Sequence, residues 1–224
     1  MTEPCTIYFA GPLFDHKILQ GNALLAWHIE SAAKGRYRCV LPQDLTQLGV
    51  SSIEIRDQNL RALMESDLAL FNFDGTDLDS GTVAEYMYAK TLDIPAVILR
   101  TDFRHGGDQE PEGNPWNIMV SFYPRTQVLH VDAMQRYAEA LSEDSDPQEV
   151  SSLIQQRIAS EVIDLLDVVR GESPVLGGGR KGAENTYRWG LQLAGGSLPT
   201  FVSHSSFVSR IVDRKIEKGL LNAD

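Results

Sequence analysis

Leu68-Ala69-Leu70-Phe71-Asn72-Phe73, followed shortly by Asp79-Ser80-Gly81-Thr82-Val83-Ala84-Glu85, is the stretch on which the reading of the fold turns. The first segment is a continuous apolar run of strand length. It reads as a strand over 67–73 that is buried on both faces. The second opens a helical segment over 82–92. Open α/β sheets bind their ligands just outside the carboxyl ends of their strands, where such a helix begins. Glu85 is therefore expected in the first turn of a helix at that edge, kept ionised by the helix N-terminus. A carboxylate nucleophile has to be ionised, so the stretch points to an enzyme.

Working outward, strands and helices alternate. A strand over 5–10 ends in Gly11-Pro12, a turn signal. Leu24, Leu25, Trp27, His28 and Ala32 recur at helical spacing over 19–34, and Gly35 stops that helix. A second strand spans 37–41 and is closed by Pro42. Residues 52–65 form an amphipathic helix with Ile53, Ile55, Leu60, Leu63 and Met64 as its expected buried stripe. Strands over 96–99 and 128–131 complete the series. Strands separated by helices of this length imply an α/β fold with a mostly parallel sheet of about five strands and helices on both faces. Right-handed crossovers then bring every carboxyl end to one edge.

Two regions break the rhythm. Residues 100–115 are polar and rich in Gly, Asp and Pro, and long enough to be a functional loop. From 143 the character changes. Glu143-Asp144-Ser145-Asp146-Pro147 reads as a linker, 148–170 as one long amphipathic helix, and 205–220 as a final helical segment. The division expected is an α/β domain over 1–142 and a mainly helical C-terminal extension over 143–224, serving packing or assembly.

Composition bounds the function. The 224 residues are 42% hydrophobic and 23% charged, an ordinary balance for a soluble globular chain. The net charge is −11 and no basic run exceeds Arg180-Lys181, which argues against nucleic acid as a partner. Cys5 and Cys39 sit in apolar runs and read as reduced core residues. Met1-Thr2-Glu3-Pro4 lacks a basic start, and no apolar run approaches the roughly 20 residues that span a bilayer. A cytoplasmic protein without membrane contact is expected. His16, His28, His105, His130 and His204 are scattered without ligand spacing, so neither a metal nor a cofactor is expected. Gly177-Gly178-Gly179-Arg180-Lys181-Gly182 lacks the spacing and the following Ser or Thr of a phosphate loop, and reads as a flexible loop.

Residues able to carry chemistry come from four places along the expected carboxyl edge: Tyr8, Gln43-Asp44, Asp79 with Glu85, and Asn117. Together with their surroundings they resemble the nucleoside 2-deoxyribosyltransferase family. The resemblance runs over about 6–131 and rests on five blocks in order: Ile7-Tyr8-Phe9-Ala10-Gly11-Pro12, Pro42-Gln43-Asp44, Arg56-Asp57-Gln58-Asn59-Leu60 on to Ser66-Asp67, Asp79 through Glu85 to Tyr88-Ala89, and Asn114-Pro115-Trp116-Asn117-Ile118-Met119. Residues beyond about 142 have no counterpart in the family's shorter members.

That resemblance implies a flavodoxin-like doubly wound sheet and a homo-oligomer acting on 2′-deoxynucleosides and free nucleobases. Glu85 would be the nucleophile that takes deoxyribose as a covalent ester. Tyr8 would orient it, and Asp79 would bind the sugar's 5′-hydroxyl. Asn117 would reach the sugar from a neighbouring subunit, with Gly11 and Met119 in matching substrate-binding segments. Gln43 and Asp44 would read the base. Where many members place an aspartate that handles the base's proton, the register here gives Asn59. A neutral amide is no general acid, which leaves that role open between Asp44, slightly preferred, and Asp57, which should face away on its helix.

Simpler roles compete. Thr82-Val83-Ala84-Glu85 fits a capping box, Asp79 fits an N-cap, Tyr8 a core aromatic, Asn117 a loop or cap residue, and Asn59 a solvent-facing helix position. A rival enzyme is a deoxynucleoside 5′-monophosphate N-glycosidase, a type that carries a small hydroxyl residue where this chain has Asp79, with Ser80 adjacent. A carboxylate facing a phosphate at about 4 Å costs roughly 4 kcal/mol per unit-charge pair at an effective dielectric of 20, which favours nucleoside transfer. A non-catalytic nucleotide sensor is the third reading, favoured by Asn59.

Overall fold

Five strands, β1 (Cys5–Ala10), β2 (Tyr37–Val40), β3 (Leu68–Asn72), β4 (Ala96–Arg100) and β5 (Thr126–His130), form a single parallel sheet in the order β2-β1-β3-β4-β5. This is the flavodoxin-like doubly wound arrangement. The structure is a computed structural model and describes residues 3–45, 48–104, 113–203 and 206–224. Strand order reverses beside β1, so the crevice expected to take a ligand opens at the carboxyl ends of β1 and β3.

Alternation along the strands sorts the core into two layers. Cys5, Ile7, Phe9, Leu68, Leu70, Val97 and Leu99 face one side, covered by α1 (His16–Ala33) and α5 (Pro147–Gly171). Tyr8, Ala10, Ala69, Phe71, Ala96 and Ile98 face the other, under α2 (Ser52–Glu65), α3 (Ser80–Thr91), α6 (Gly179–Ala194) and α7 (Phe207–Glu217). Burial on both faces explains why the strands read as unbroken apolar runs.

Residues beyond 143 enter both layers. In α5, Ile158, Val162, Ile163, Leu166 and Val169 fall on one helical stripe and join the first cluster. Ala183, Tyr187 and Leu191 of α6, with Val208, Ile211 and Val212 of α7, join the second. Neither cluster is built from residues 143–224 alone. Among the described residues, α1 reaches mainly β2 and α5, while α5 lies against β4 and β5. On that face the tail therefore covers the β4–β5 half of the sheet.

Several expectations need correction. The stretch 143–147 is not an open linker: Glu143 ends a further helix, α4 (Ala133–Glu143), Asp144 caps it, and Asp146 caps α5 with Pro147 in its first turn. The alternating pattern missed α4 because its apolar face is mostly exposed, with Met134, Tyr137 and Leu141 open to solvent. The Gly177–Gly179 segment is not a flexible loop. Gly178, at φ 78°, caps α6, and a Cβ on Gly179 would lie 2.5 Å from the carbonyl carbon of Asp224, so only glycine fits against the C-terminus. The buried stripe of α1 is Leu25, Ala26, His28, Ile29 and Ala33. Trp27 is 62% exposed, and Leu24 and Ala32 also face outward. In α2, Ile53 is 53% exposed, which leaves Leu63 and Met64 as its buried anchors. Cys5 is buried and Cys39 half-buried, both as free thiols. No described helix is long and apolar enough to cross a membrane. Met1, Thr2, His105, His204, Ser205 and the middle of the 100–115 loop (105–112) lie outside the described residues.

Candidate active site

Tyr8 is the fourth residue of β1, on the face that looks toward α3, and its side chain is fully buried. Its hydroxyl donates a 2.7 Å hydrogen bond to Oε1 of Glu85. Burial, then the charge and hydrogen bond of Glu85, push the phenol well above its ordinary value, so it remains a donor. Glu85 is the sixth residue of α3, in its second turn rather than its first. Its backbone position is past the reach of the helix-end dipole.

The expectation that the helix keeps Glu85 ionised is therefore overturned. Burial raises its pKa from 4.5 to about 7; the Tyr8 hydrogen bond pulls it down, and the charge of Asp79 pushes it further up. The capping box fails too. Asp79, not Thr82, caps α3, its Oδ2 accepting from the Thr82 amide at 2.7 Å and the Thr82 hydroxyl at 2.8 Å. With the amides met by Asp79, the Glu85 side chain is free to turn to Tyr8.

Glu85 lies on the wall of a cavity of about 470 Å³, in the size range of small-molecule sites. Asn59 and Ile55 from α2, Gly81 and Tyr88 from α3, and Leu193 and Ala194 from the end of α6 share that wall. Asn59 does not face open solvent: its Oδ1 is buried without a hydrogen-bond partner. Arg56 also lines the cavity, but its guanidinium donates to Asp57 Oδ1 at 2.7 Å and to the Ala194 carbonyl at 2.5 Å.

Other expected site residues fall elsewhere. Asp57 is buried and turned away from Asn59, its Oδ2 accepting from the Ser197 amide at 2.6 Å and hydroxyl at 2.8 Å. Although burial disfavours its charge, those bonds and Arg56 hold its carboxyl below the usual range. Asp44 is exposed in a short 3₁₀ turn, Pro42–Asp44, where the Gln43 amide donates to the Leu19 carbonyl at 2.9 Å. Neither Asp44 nor Asp57 lines the Glu85 cavity, so neither candidate general acid stands there; the carboxylate whose charge reaches Glu85 is Asp79. Gly11 is buried where a Cβ would lie 3.0 Å from Cβ of Asn72, and so lets β1 leave the sheet tight against β3. Asn117 caps a short 3₁₀ turn, Ile118–Val120, accepting from the Met119 amide at 2.9 Å. It lines a different cavity, of about 670 Å³, with Asp77, Ser80, Arg100 and Met119, the last 73% exposed.

Leu193 and Ala194 carry no sequence signal for this cavity, and Tyr88 stands out only as the end of a family-like block. Tyr88 follows Glu85 by three residues, and that spacing on a helix is a usable signal for a shared face. Leu193 and Ala194 lie more than 100 positions from Glu85, and nothing local marks them. No group of His, Cys, Asp and Glu suited to a metal occurs among the described residues.

A half-buried carboxylate held by a tyrosine lies beside a cavity at the carboxyl edge of a doubly wound sheet, the place where α/β proteins of this class take small molecules. The sequence model of one family, described as Nucleoside 2-deoxyribosyltransferase, matches residues 7–119, and the chain belongs to that family. Among solved structures, a conserved protein from Enterococcus faecalis V583 aligns with a TM-score of 0.45 at 24% identity, covering 72% of this chain and 98% of that one. A 2-desoxiribosyltransferase from Leishmania mexicana aligns with a TM-score of 0.45 at 21% identity, covering 62% and 98%. No curated protein matches the chain.

Proposed function

We propose that this chain transfers 2-deoxyribose from one nucleobase to another, with Glu85 holding the sugar as a covalent ester between the two steps. The observation that carries the reading is the Tyr8–Glu85 hydrogen bond at the edge of the 470 Å³ cavity. With Oε1 held by Tyr8, Oε2 is the atom left to attack C1′ of a 2′-deoxynucleoside. The C1′–N bond breaks, its electron pair leaves with the base, and the base takes up a proton. A nitrogen of the second base then attacks C1′ and loses its proton while the ester bond to Glu85 breaks. Two inversions give net retention in a ping-pong sequence, and water in place of the second base gives slow hydrolysis.

Burial makes Glu85 reluctant to ionise, but it also strengthens the pull of the ionised carboxylate on an oxocarbenium-like transition state. Asp79, with Oδ2 tied to Thr82, would use its other oxygen for the sugar's 5′-hydroxyl. The unpartnered Oδ1 of Asn59 would accept from the base edge. Asn117 would complete the site of a second subunit in a cytoplasmic homo-oligomer. Among the described residues lining the cavity Arg56 is the sole cation and is committed to Asp57 and Ala194, which speaks for an uncharged nucleoside over a 5′-monophosphate.

The test is to incubate the protein with deoxyinosine and adenine, look for deoxyadenosine, then quench in mid-turnover and weigh the peptide containing Glu85. The expected result is base exchange and one added deoxyribosyl group on that peptide. Binding without exchange or hydrolysis would point to a sensor. A preference for deoxyadenosine 5′-monophosphate over deoxyadenosine would point to the hydrolase.

A further inference from the structure

The sequence contains no basic run, yet the fold gathers four arginines around one cavity of about 500 Å³ on the far side of α2 from Glu85. Arg38 comes from β2, Arg61 from α2, and Arg210 and Arg214 from α7. Among the described residues Glu65 is the one acidic residue on that wall, so this lining carries four positive charges against one negative, in a chain whose net charge is −11. Like charges repel when brought together, so a concentration of this kind on an acidic protein is a feature with a cost unless an anion shares it.

The four arginines are not all engaged within the fold. Arg214 is fixed: its Nε lies 3.3 Å from Oδ1 of the fully buried Asp67, and it also donates to the Glu65 carbonyl. Arg61 stacks over the Phe201 ring at 5.5 Å and has only a long 3.9 Å approach to Glu65. Arg38 and Arg210 have no carboxylate partner among the described residues, and both are exposed. One guanidinium is thus anchored in place, Arg210 is held only through Nε, which donates to the Ser206 carbonyl at 3.2 Å, and the Arg38 side chain has no bond to another described residue. That suits a ligand with several oxygens to share, because guanidinium donors match phosphate in paired, charge-assisted bonds. Gln58 adds a neutral polar group, while Phe207 and Ile211 offer apolar surface beside the charges.

We propose that this cavity binds a small molecule bearing a phosphate monoester, at a site separate from the one that holds Glu85. A cavity walled by α2 and α7 fits a small ligand better than a nucleic-acid strand, which the overall negative charge would repel. The proposal also gives the ligand a route to the first site. Gln58 and Arg61 face this cavity while Ile55 and Asn59, on the same helix, face the cavity of Glu85. The inference stands on the arginines alone and does not depend on what Glu85 does.

The experiment is calorimetric titration of the full chain with inorganic phosphate and, separately, with a deoxynucleoside 5′-monophosphate, in a phosphate-free buffer. Three proteins are compared: the unaltered chain, Arg38→Gln with Arg210→Gln, and Glu85→Gln. The expected result is binding that survives in Glu85→Gln and weakens about tenfold or more in the double arginine variant, because each lost guanidinium removes a charge-assisted bond. Tighter binding of the nucleotide than of inorganic phosphate would assign the apolar wall to the rest of the ligand; equal binding would assign the phosphate alone. Undiminished affinity in the double arginine variant, loss of binding in Glu85→Gln, or no binding to the unaltered chain at millimolar ligand would each overturn the proposal. Should the double variant fail to fold, Arg38→Gln alone replaces it, since that side chain is exposed and bonds no other described residue.

Discussion

The Tyr8 hydroxyl and Glu85 Oε1 stand 2.7 Å apart, joining the middle of β1 to the second turn of α3 across 77 positions of sequence. The bond does two things. It fixes one oxygen of the carboxylate, and it offsets part of the burial that pushes Glu85 up to about 7.

Removing that bond tests both effects. In Tyr8→Phe the aromatic body still fills the core, so folding should persist. The carboxylate loses the one contact that lowers its pKa. A hydrogen bond to a charged group contributes about 1.5–3 kcal/mol, so the pKa of Glu85 should rise by about one to two units. In the unaltered protein kcat/KM should climb with pH through about 7 as Glu85 ionises. In Tyr8→Phe that limb should move to higher pH, with activity at neutral pH reduced at least about tenfold. An unmoved pH profile would show that Tyr8 is only a core aromatic.

Replacing the carboxylate should trade turnover for stability. The folded pKa of Glu85, about 7, lies above its ordinary 4.5. The folded chain keeps a proton there that the unfolded chain has already lost across that window. This group's contribution is complete below pH 4.5 and is lost as pH rises through 7, a difference of at most about 3 kcal/mol. Glu85→Gln, which keeps the acceptor for Tyr8, should therefore abolish transfer and raise the melting temperature at pH 8 but not at pH 4.5. Denaturation at the two pH values reads this directly; a stability difference independent of pH would show that the charge is not buried at a cost.

Gly196 should tolerate no side chain. It sits at φ 62°, and a Cβ there would lie 2.5 Å from Oδ2 of Asp57, the oxygen that receives Ser197. Gly196→Ala should break the Asp57–Ser197 contact and destabilise the fold by about 2–3 kcal/mol. Because Leu193 and Ala194 just before it line the Glu85 cavity, KM for the nucleoside should rise more than kcat falls. Unchanged urea midpoints would sink this.

Asn117 lines a cavity that does not contain Glu85. If it serves a neighbouring subunit, Glu85→Ala and Asn117→Ala proteins should each be inactive and should regain activity when their subunits are exchanged. Native mass spectrometry would establish the mixed oligomers. Mixed oligomers with no recovery would mean that each site is built within one chain.

Cutting the chain after residue 142 should leave it unable to fold. The cut removes α5 from Val97 and Leu99 on one face and α6 and α7 from the other. Exposing two apolar layers costs far more than the 5–15 kcal/mol by which domains are stable. A soluble truncated chain with a cooperative melt would show that 1–142 is self-sufficient.

Much of this was legible in local patterns. The strands could be read because apolar runs bounded by Gly and Pro have few alternatives, and α2 matched its expected span of 52–65. Tyr8, Asn59, Asp79 and Glu85 could be singled out because the blocks that contain them resemble, in order, those of the family. The helices α4 and α6 were missed. The first has a mostly exposed apolar face, and the second begins in a glycine-rich stretch whose order depends on contact with Asp224.

The order of residues along the chain was enough to determine an alternating parallel sheet and a carboxylate at its carboxyl edge, because both follow from periodicities of two and 3.6 and from neighbours a few positions away. Tertiary structure alone decided the rest: that Glu85 is buried enough to sit near pKa 7, that Asp57 turns to Ser197 and leaves Asn59 alone beside it, that the tail walls the cavity, and that four arginines meet behind α2. Burial and charge clustering are properties of what lies across a gap, and residues 38 and 214, or 85 and 194, become neighbours only once the chain has closed around its core.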